Sequence, residues 1–143
     1  MVEVTTPELV REYEKIVVEG FTELGRERDE ILSEEGGEFH KFLVEYEGKF
    51  VGVGRVGKIG DTYSMQRGSI LKEYRLLGLH EEFTRLGVED IKKKKLPHEK
   101  VVTYVHVFSR KSAEKSGFVV DYLNPMRLDA SPLIYYKAEL KDD

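Results

Sequence analysis

Apolar residues recur at helical spacing near the start of the chain, from Leu9 to Val17. Thr6 and Pro7 precede them, and these residues suit the cap and the first position of a helix. The pattern therefore predicts a first helix, which Gly20 ends or bends. It also predicts a second, mostly polar helix over residues 21–33.

The pattern then changes to the alternation of extended strands. Short polar turns at 47–49 and 60–61 separate three predicted strands, which cover residues 39–46, 50–58 and 63–71. Strands joined by such short turns form an antiparallel meander. Three glycines alternate with valines in the second strand, namely Gly52, Gly54 and Gly57. Glycine inside a strand often marks a bulge or a close approach of another group to the backbone.

The last half of the chain alternates between helical and extended patterns. A helix opens in the stretch 72–83 and continues to about Lys95. The remaining predicted elements are a strand over 101–107, a short helix over 109–116, and two strands over 118–122 and 133–140. Because a helix separates the strands 63–71 and 101–107, these two strands are expected to be parallel.

Composition limits the class of protein. The 143 residues fit a single domain over residues 1–143, and the net charge of −4 argues against nucleic acid or an anionic membrane as a partner. No apolar run reaches the roughly 20 residues of a membrane span, and the first residues lack the features of a signal peptide, so a cytoplasmic protein is expected. Charged residues make up 35% of the chain and are rich in Glu and Lys, which is typical of thermophilic proteins.

Several kinds of chemistry are excluded or disfavoured. Cysteine is absent, so thiolate nucleophiles, disulfides and cysteine-ligated zinc are excluded. The four histidines have no metal-ligand spacing, so no metal is expected.

The stretch 72–83 is the main candidate for binding chemistry. It joins a strand to a helix through a tight turn that contains Gly78. The first amides of a helix have no intrahelical partner, and the helix dipole adds partial positive charge there, so such a turn can bind phosphate. Glycine allows the backbone to approach the phosphate closely.

Two segments carry a resemblance to a known family. The segment Arg75-Leu76-Leu77-Gly78-Leu79-His80, after Glu73-Tyr74, resembles the motif Gln/Arg-x-x-Gly-x-Gly/Ala of the GNAT superfamily of acyl-CoA-dependent N-acyltransferases. The segment 109–118 resembles the family's Ser-Arg-Arg-x-Leu-Glu-Lys-Leu-Gly-Phe, and residues 134–140 resemble its last strand. The resemblance covers residues 5 to 140. It implies an α/β fold with a mixed, mostly antiparallel sheet of six to seven strands and helices on both faces.

The resemblance also implies a cofactor and its contacts. Acetyl-CoA or another acyl-CoA would be the co-substrate, with its pyrophosphate on the amides of about Leu76 to Glu81. Its pantetheine arm would pair with the end of the third strand, where that strand splays from the strand 101–107. The cofactor-binding residues that we predict are Ser69, Ile70, Arg75, Leu76, Leu77, Gly78, Leu79, His80, Glu81 and Ser109.

His80 departs from the family pattern, which prefers glycine or alanine at this position. One interpretation is a tolerated surface substitution. The other is a direct hydrogen bond from the imidazole to a phosphate.

The catalytic groups also depart from the family pattern. Members that use side chains often place a glutamate on the strand before the short helix and a tyrosine four residues before the Gly-Phe pair. Tyr104 and Ala113 stand there in this chain. Tyr104 and His106 are the candidates that remain, with the imidazole as base, and Ser109 is a candidate contact of the thiol. The alternative is that His106 is structural and that Tyr104 packs in the core.

The predicted function is transfer of an acetyl group from acetyl-CoA directly to a primary amine. The alternative is a CoA-binding sensor or interaction module without transferase activity. The resemblance leaves the acceptor open, and it implies a possible homodimer through the tail strands.

Overall fold

The computed structural model describes residues 1–23, 25–33, 39–107, 109–127 and 133–141. Within these residues it contains one seven-stranded sheet and four α-helices. The strands are β1 (Val2–Glu3), β2 (Phe39–Tyr46), β3 (Lys49–Ile59), β4 (Thr62–Ile70), β5 (Lys100–Val105), β6 (Phe118–Val120) and β7 (Tyr136–Leu140). The helices are α1 (Pro7–Thr22), α2 (Arg28–Ser33), α3 (Leu79–Lys94) and α4 (Arg110–Lys115), with a 3₁₀ turn at Lys72–Tyr74.

The strands lie in the order β1-β2-β3-β4-β5-β7-β6. Only the pairing of β4 with β5 is parallel among these described strands, and the other neighbours are antiparallel. The mixed, mostly antiparallel sheet and its parallel crossover are therefore confirmed. The two-residue strand β1, which pairs with Phe42 and Leu43, was not predicted because two residues are too few to show a period.

The two faces of the sheet carry separate cores. Tyr13, Val17 and Ile31 from α1 and α2 pack with Leu43 and Val53 on one face. On the other face, α3 and α4 contribute Phe83, Val88, Ile91 and Ala113, which pack with Phe42 and Val44. Successive residues of β2 thus enter opposite cores, as the two-residue period of a strand requires. Helices on both faces were predicted, and this prediction is confirmed.

The first helix begins as predicted but ends later. Thr6 Oγ1 accepts a hydrogen bond of 3.2 Å from the amide of Leu9, and Pro7 occupies the first helical position. The helix then continues through Gly20 to Thr22. Gly20 is buried, and a Cβ at this position would overlap Ser69 Oγ, so this glycine allows α1 to lie close to β4.

The second helix is shorter than predicted, because α2 covers only Arg28–Ser33 of the expected 21–33. Gly25 lies between α1 and α2 with φ of +83°, a left-handed conformation that interrupts a right-handed helix. The later elements agree with their predicted positions to within a few residues. The stretch 72–83 differs, because it contains the 3₁₀ turn before α3 begins at Leu79.

Gly54 in β3 lies directly beneath the ring of Phe83 from α3. A Cβ at Gly54 would overlap the ring atoms Cζ and Cε1, so the absence of a side chain allows α3 to pack closely on the sheet. This is the close approach that the glycines in this strand predicted.

We expect Gly54→Ala to lower the free energy of unfolding by about 1–3 kcal/mol, because the Phe83 ring must move to admit a methyl group. Denaturant unfolding of Gly54→Ala, Phe83→Leu and the double variant measures this cost. A smaller side chain at position 83 should reduce the penalty of the alanine, which gives a coupling energy between the two sites. Unchanged stability of Gly54→Ala would contradict this packing.

Candidate functional site

A cleft opens where β4 and β5 stop pairing. The two strands pair only from Thr62 with Lys100 to Met65 with Thr103. In β4, Arg67 and Gly68 stand opposite the single residue Gly54 of β3, which makes a β-bulge with Arg67 at φ of +55°. A bulge bends its strand and increases the local twist. The gap beyond Met65 leads into a cleft of about 1030 Å³.

This cleft brings together nearly all the residues predicted for the site. The predicted residues that line it are Ser69, Ile70, Arg75, Leu76, Gly78, Leu79, His80, Glu81, Tyr104, His106 and Ser109. Leu77 does not line it, and the residue is 52% exposed. The splay predicted between the third strand and the strand 101–107 is thus present, and it lies where these residues meet.

At one end of the cleft, α3 begins at a glycine in the left-handed conformation. Gly78 is the N-cap residue with φ of +75°, and Leu76 before it has φ of +71°. The first amide to bond within the helix is that of Glu82, which donates to the carbonyl of Gly78 at 3.0 Å. The amides of residues 79–81 precede it and have no acceptor within the helix. A Cβ at Gly78 would meet open space, so the backbone conformation is what requires glycine in this structure.

The Arg75 side chain connects the turn to two other elements. Its Nε donates to the carbonyl of Ile70 at 2.9 Å, and its Nη2 donates to Glu23 Oε2 at 2.8 Å. Ile70 ends β4 and Glu23 follows α1, so one guanidinium holds the turn against both walls of the cleft. Its hydrogen bonds make Arg75 a support of the turn.

His80 lies in the first turn of α3, and its ring is directed at the bulge. The imidazole Nε2 is 3.1 Å from the point that a Cβ of Gly68 would occupy. The residue is half-buried, and its burial lowers the pKa of His80 below its ordinary value. Both interpretations of His80, the tolerated substitution and the hydrogen bond to a phosphate, stay predictions.

His106 follows β5 directly, because that strand ends at Val105. Its ring stands edge-on to the ring of Tyr135, with 5.4 Å between their centroids. Burial, and secondly the charge of His80, lower the pKa of His106 to about 4. The imidazole is therefore neutral near pH 7.

Ser109 holds the turn that carries His106. Its Oγ accepts from the backbone amide of His106 at 3.0 Å, and its own amide donates to the His106 carbonyl at 3.0 Å. Ala113, which stands where the resembled family often places a tyrosine, also lines the cleft and presents only a methyl group.

The lining of the cleft also includes residues that the sequence did not single out. Gly20, Phe21, Glu23 and Arg26 line it from α1 and the segment after it, and Tyr135 lines it from the tail. Tyr135 belongs to the segment 134–140 that resembles a last strand, but its contact with His106 joins distant parts of the sequence. A pattern within one short segment of the sequence does not predict such a contact.

Two further properties concern the described residues only. They contain no group of three His, Asp or Glu side chains arranged to hold a metal ion. None of their helices is both long enough and apolar enough to cross a membrane.

Comparisons with known proteins find similarity in structure and not in sequence. No protein-family model matches the chain, and no curated protein matches it. An acyl-CoA N-acyltransferase from Pseudomonas aeruginosa superposes with a TM-score of 0.76 at 12% identity, covering 96% of this chain and 93% of the other.

Two other solved structures agree. The ribosomal-protein-S18-alanine N-acetyltransferase from Escherichia coli gives a TM-score of 0.74 at 12% identity, covering 98% of this chain and 92% of the other. A GNAT family acetyltransferase from Elizabethkingia anophelis with acetyl-CoA bound gives 0.56 at 12% identity, covering 95% and 83%. The chain therefore has the fold of the GNAT acyl-CoA N-acyltransferases.

Proposed function

We propose that this protein is an acyl-CoA-dependent N-acyltransferase that moves an acetyl group from acetyl-CoA directly to a primary amine. The observation that carries the proposal is the cleft between β4 and β5, which ends at the Gly78 turn and the free amides of α3. Structures with the same fold are acetyltransferases, and one of them holds acetyl-CoA.

The residues at the Gly78 turn suit the pyrophosphate of coenzyme A. The left-handed residues Leu76 and Gly78 shape the turn before the N-terminus of a 16-residue helix, where main-chain amides and the helix dipole favour an anion. The space beside Gly78 is open, so a phosphate can reach the backbone. Main-chain groups of β4 near Gly68 and Ser69 would hold the amide-bearing arm. When bound, the thioester supplies the activated acyl group.

The side chains proposed for proton transfer are His106 and Tyr104. His106 is neutral near pH 7 and can accept the proton of the attacking amine. Its position is fixed by the Ser109 turn on one side and by the Tyr135 ring on the other. Tyr104 lines the same cleft from β5, and its hydroxyl can donate a proton to the leaving sulfur.

One observation favours a second candidate, a CoA-binding module without transferase activity. Ala113 stands where tyrosine-bearing relatives place their acid, and it offers no proton. Release of thiol from acetyl-CoA in the presence of a panel of small amines and peptides separates the two candidates. Tight binding of CoA without turnover on any of these acceptors would favour the module.

We expect Gly78→Ala to weaken CoA binding about tenfold or more, because a left-handed conformation costs a residue with a Cβ about 1–2 kcal/mol. Isothermal titration with CoA measures the effect. Gly60→Ala is the matched control, since Gly60 also has a positive φ and open space beside it but lies in the turn between β3 and β4. The control should lose stability and keep its affinity. Equal affinities of both variants and the wild type would contradict the phosphate site.

We expect His106→Gln to lower the turnover number about 100-fold at pH 7.5 with little change in CoA affinity, because a general base contributes about 10²–10⁴ to the rate. Thiol release at saturating acetyl-CoA gives the turnover number. His40→Gln serves as the control, because His40 lies on β2 outside the cleft with an exposed side chain. Full turnover in His106→Gln would remove this residue from the mechanism.

A further inference from the structure

A second cavity of about 490 Å³ lies beside α4, and its lining shares no residue with the lining of the cleft. The residues that line this cavity, which we call the α4 hollow, are Arg110, Lys111, Glu114, Lys115 and Tyr122. Three of these side chains are cations and one is a carboxylate, whereas the whole chain has a net charge of −4. The charge of the hollow is therefore opposite to that of the chain, and it favours an anionic ligand.

The basic side chains of the hollow all come from α4. Lys111 and Lys115 are four residues apart, so they are neighbours on one face of the helix. Arg110 begins the helix directly before Lys111. Among the residues that the structure describes, no carboxylate lies within ion-pair distance of Arg110 or Lys111. These two cations can therefore bind a ligand without giving up an ion pair to a described carboxylate.

The carboxylate of the hollow is held by a neutral donor. The hydroxyl of Tyr122 donates a hydrogen bond of 3.1 Å to Glu114 Oε1. The ring of Tyr122 stands edge-on to the ring of Tyr136 in β7, with 5.2 Å between their centroids. The sheet thus fixes the position of Tyr122, and through it the position of Glu114. A neutral donor leaves the charge of Glu114 in place, so the three cations of the lining exceed the one carboxylate.

An ion pair connects the hollow with the cleft. Lys115 Nζ lies 3.3 Å from Glu81 Oε2. Lys115 lines the hollow, and Glu81 lines the cleft. The main-chain amide of Glu81 is also among the three amides at the start of α3 that we propose for the pyrophosphate. The hollow therefore adjoins the proposed pyrophosphate site.

The chemistry of coenzyme A includes a group that fits this place. One ribose is joined to the pyrophosphate through its 5′ oxygen and carries a phosphate monoester on its 3′ oxygen. This second phosphate therefore lies within one sugar of the pyrophosphate. A phosphate monoester has a charge of about −1.5 to −2 at pH 7. Guanidinium and ammonium groups are the side chains that bind such a charge most strongly.

We propose that the α4 hollow binds the 3′-phosphate of coenzyme A through Arg110 and Lys111. The proposal rests on the proposed acyl transfer, and it adds a site that distinguishes coenzyme A from ligands that lack this phosphate. Lys115 keeps its ion pair with Glu81 and so neutralises a carboxylate beside the pyrophosphate.

Isothermal titration with CoA and with dephospho-CoA, which lacks only the 3′-phosphate, tests the hollow. The wild-type protein should bind CoA about tenfold more tightly, because a hydrogen bond to a charged group is worth about that factor. The double variant Arg110→Gln/Lys111→Gln should bind both ligands with similar affinity. Its affinity for dephospho-CoA should equal that of the wild type, which also shows that the variant is folded. A tenfold preference that survives in the double variant would overturn the site.

The matched control is Lys92→Gln/Lys93→Gln. These two lysines are also adjacent and exposed on a helix, but they lie in the last turn of α3, whereas the first turn lines the cleft. The control removes the same charge from the chain, so it should keep the full preference for CoA. A preference that falls equally in the control would show an effect of net charge alone and would overturn the site.

The site and the proposed function fail in different ways. A wild-type protein that releases thiol from acetyl-CoA but binds CoA and dephospho-CoA equally would overturn only the site in the hollow. A wild-type protein that binds neither ligand would overturn the proposed function, and the site with it.

Discussion

The end of the parallel pairing between β4 and β5 is the constraint on which the site depends. Parallel neighbours normally continue their hydrogen bonds along the shared length. Here the pairing ends at Met65 and Thr103, and a bulge at Arg67 and Gly68 follows in β4. The cleft opens beyond the point where this pairing ends. A regular β4 would leave no gap for a ligand.

Close packing on glycine determines the electrostatics of the cleft. Gly54 accepts the ring of Phe83 against the backbone, which brings α3 down onto the sheet. His80 lies about one turn before Phe83 on the same helix, so this close approach also places the half-buried imidazole over Gly68. Burial favours the neutral form of a histidine. The lowered pKa of His80 thus derives from backbone packing and from the absence of side chains on two strand residues.

Local patterns predicted the fold well, because the periods of the helices and strands report which faces are buried. These periods predicted the antiparallel meander, the crossover to β5 and the order of the elements. The early helices were harder to predict. The helix α1 continues through Gly20, whose lack of a side chain allows the helix to lie against Ser69 of β4. Gly25 has a positive φ and interrupts the helical region between α1 and α2.

The site was predictable only in part. The Gly78 turn has a local signature, because strand, glycine and helix start are adjacent in the sequence. The contact of His106 with Tyr135 and the position of His80 over Gly68 are contacts between distant segments. The effect of these contacts on the pKa values of the two histidines depends on burial in the folded protein. A pattern of residue types along the sequence does not predict this burial.

The Gly78 turn has one further consequence, which concerns how such a site is preserved. The groups that we propose for binding the pyrophosphate there are main-chain amides, which every residue except proline supplies. Selection on such a site fixes the path of the backbone and constrains side chains only where the path demands it, as at Gly78 with its positive φ. Two chains can therefore diverge until few of their residues are identical and still keep the same turn. In such a site the backbone conformation is therefore conserved over longer evolutionary distances than the amino-acid sequence.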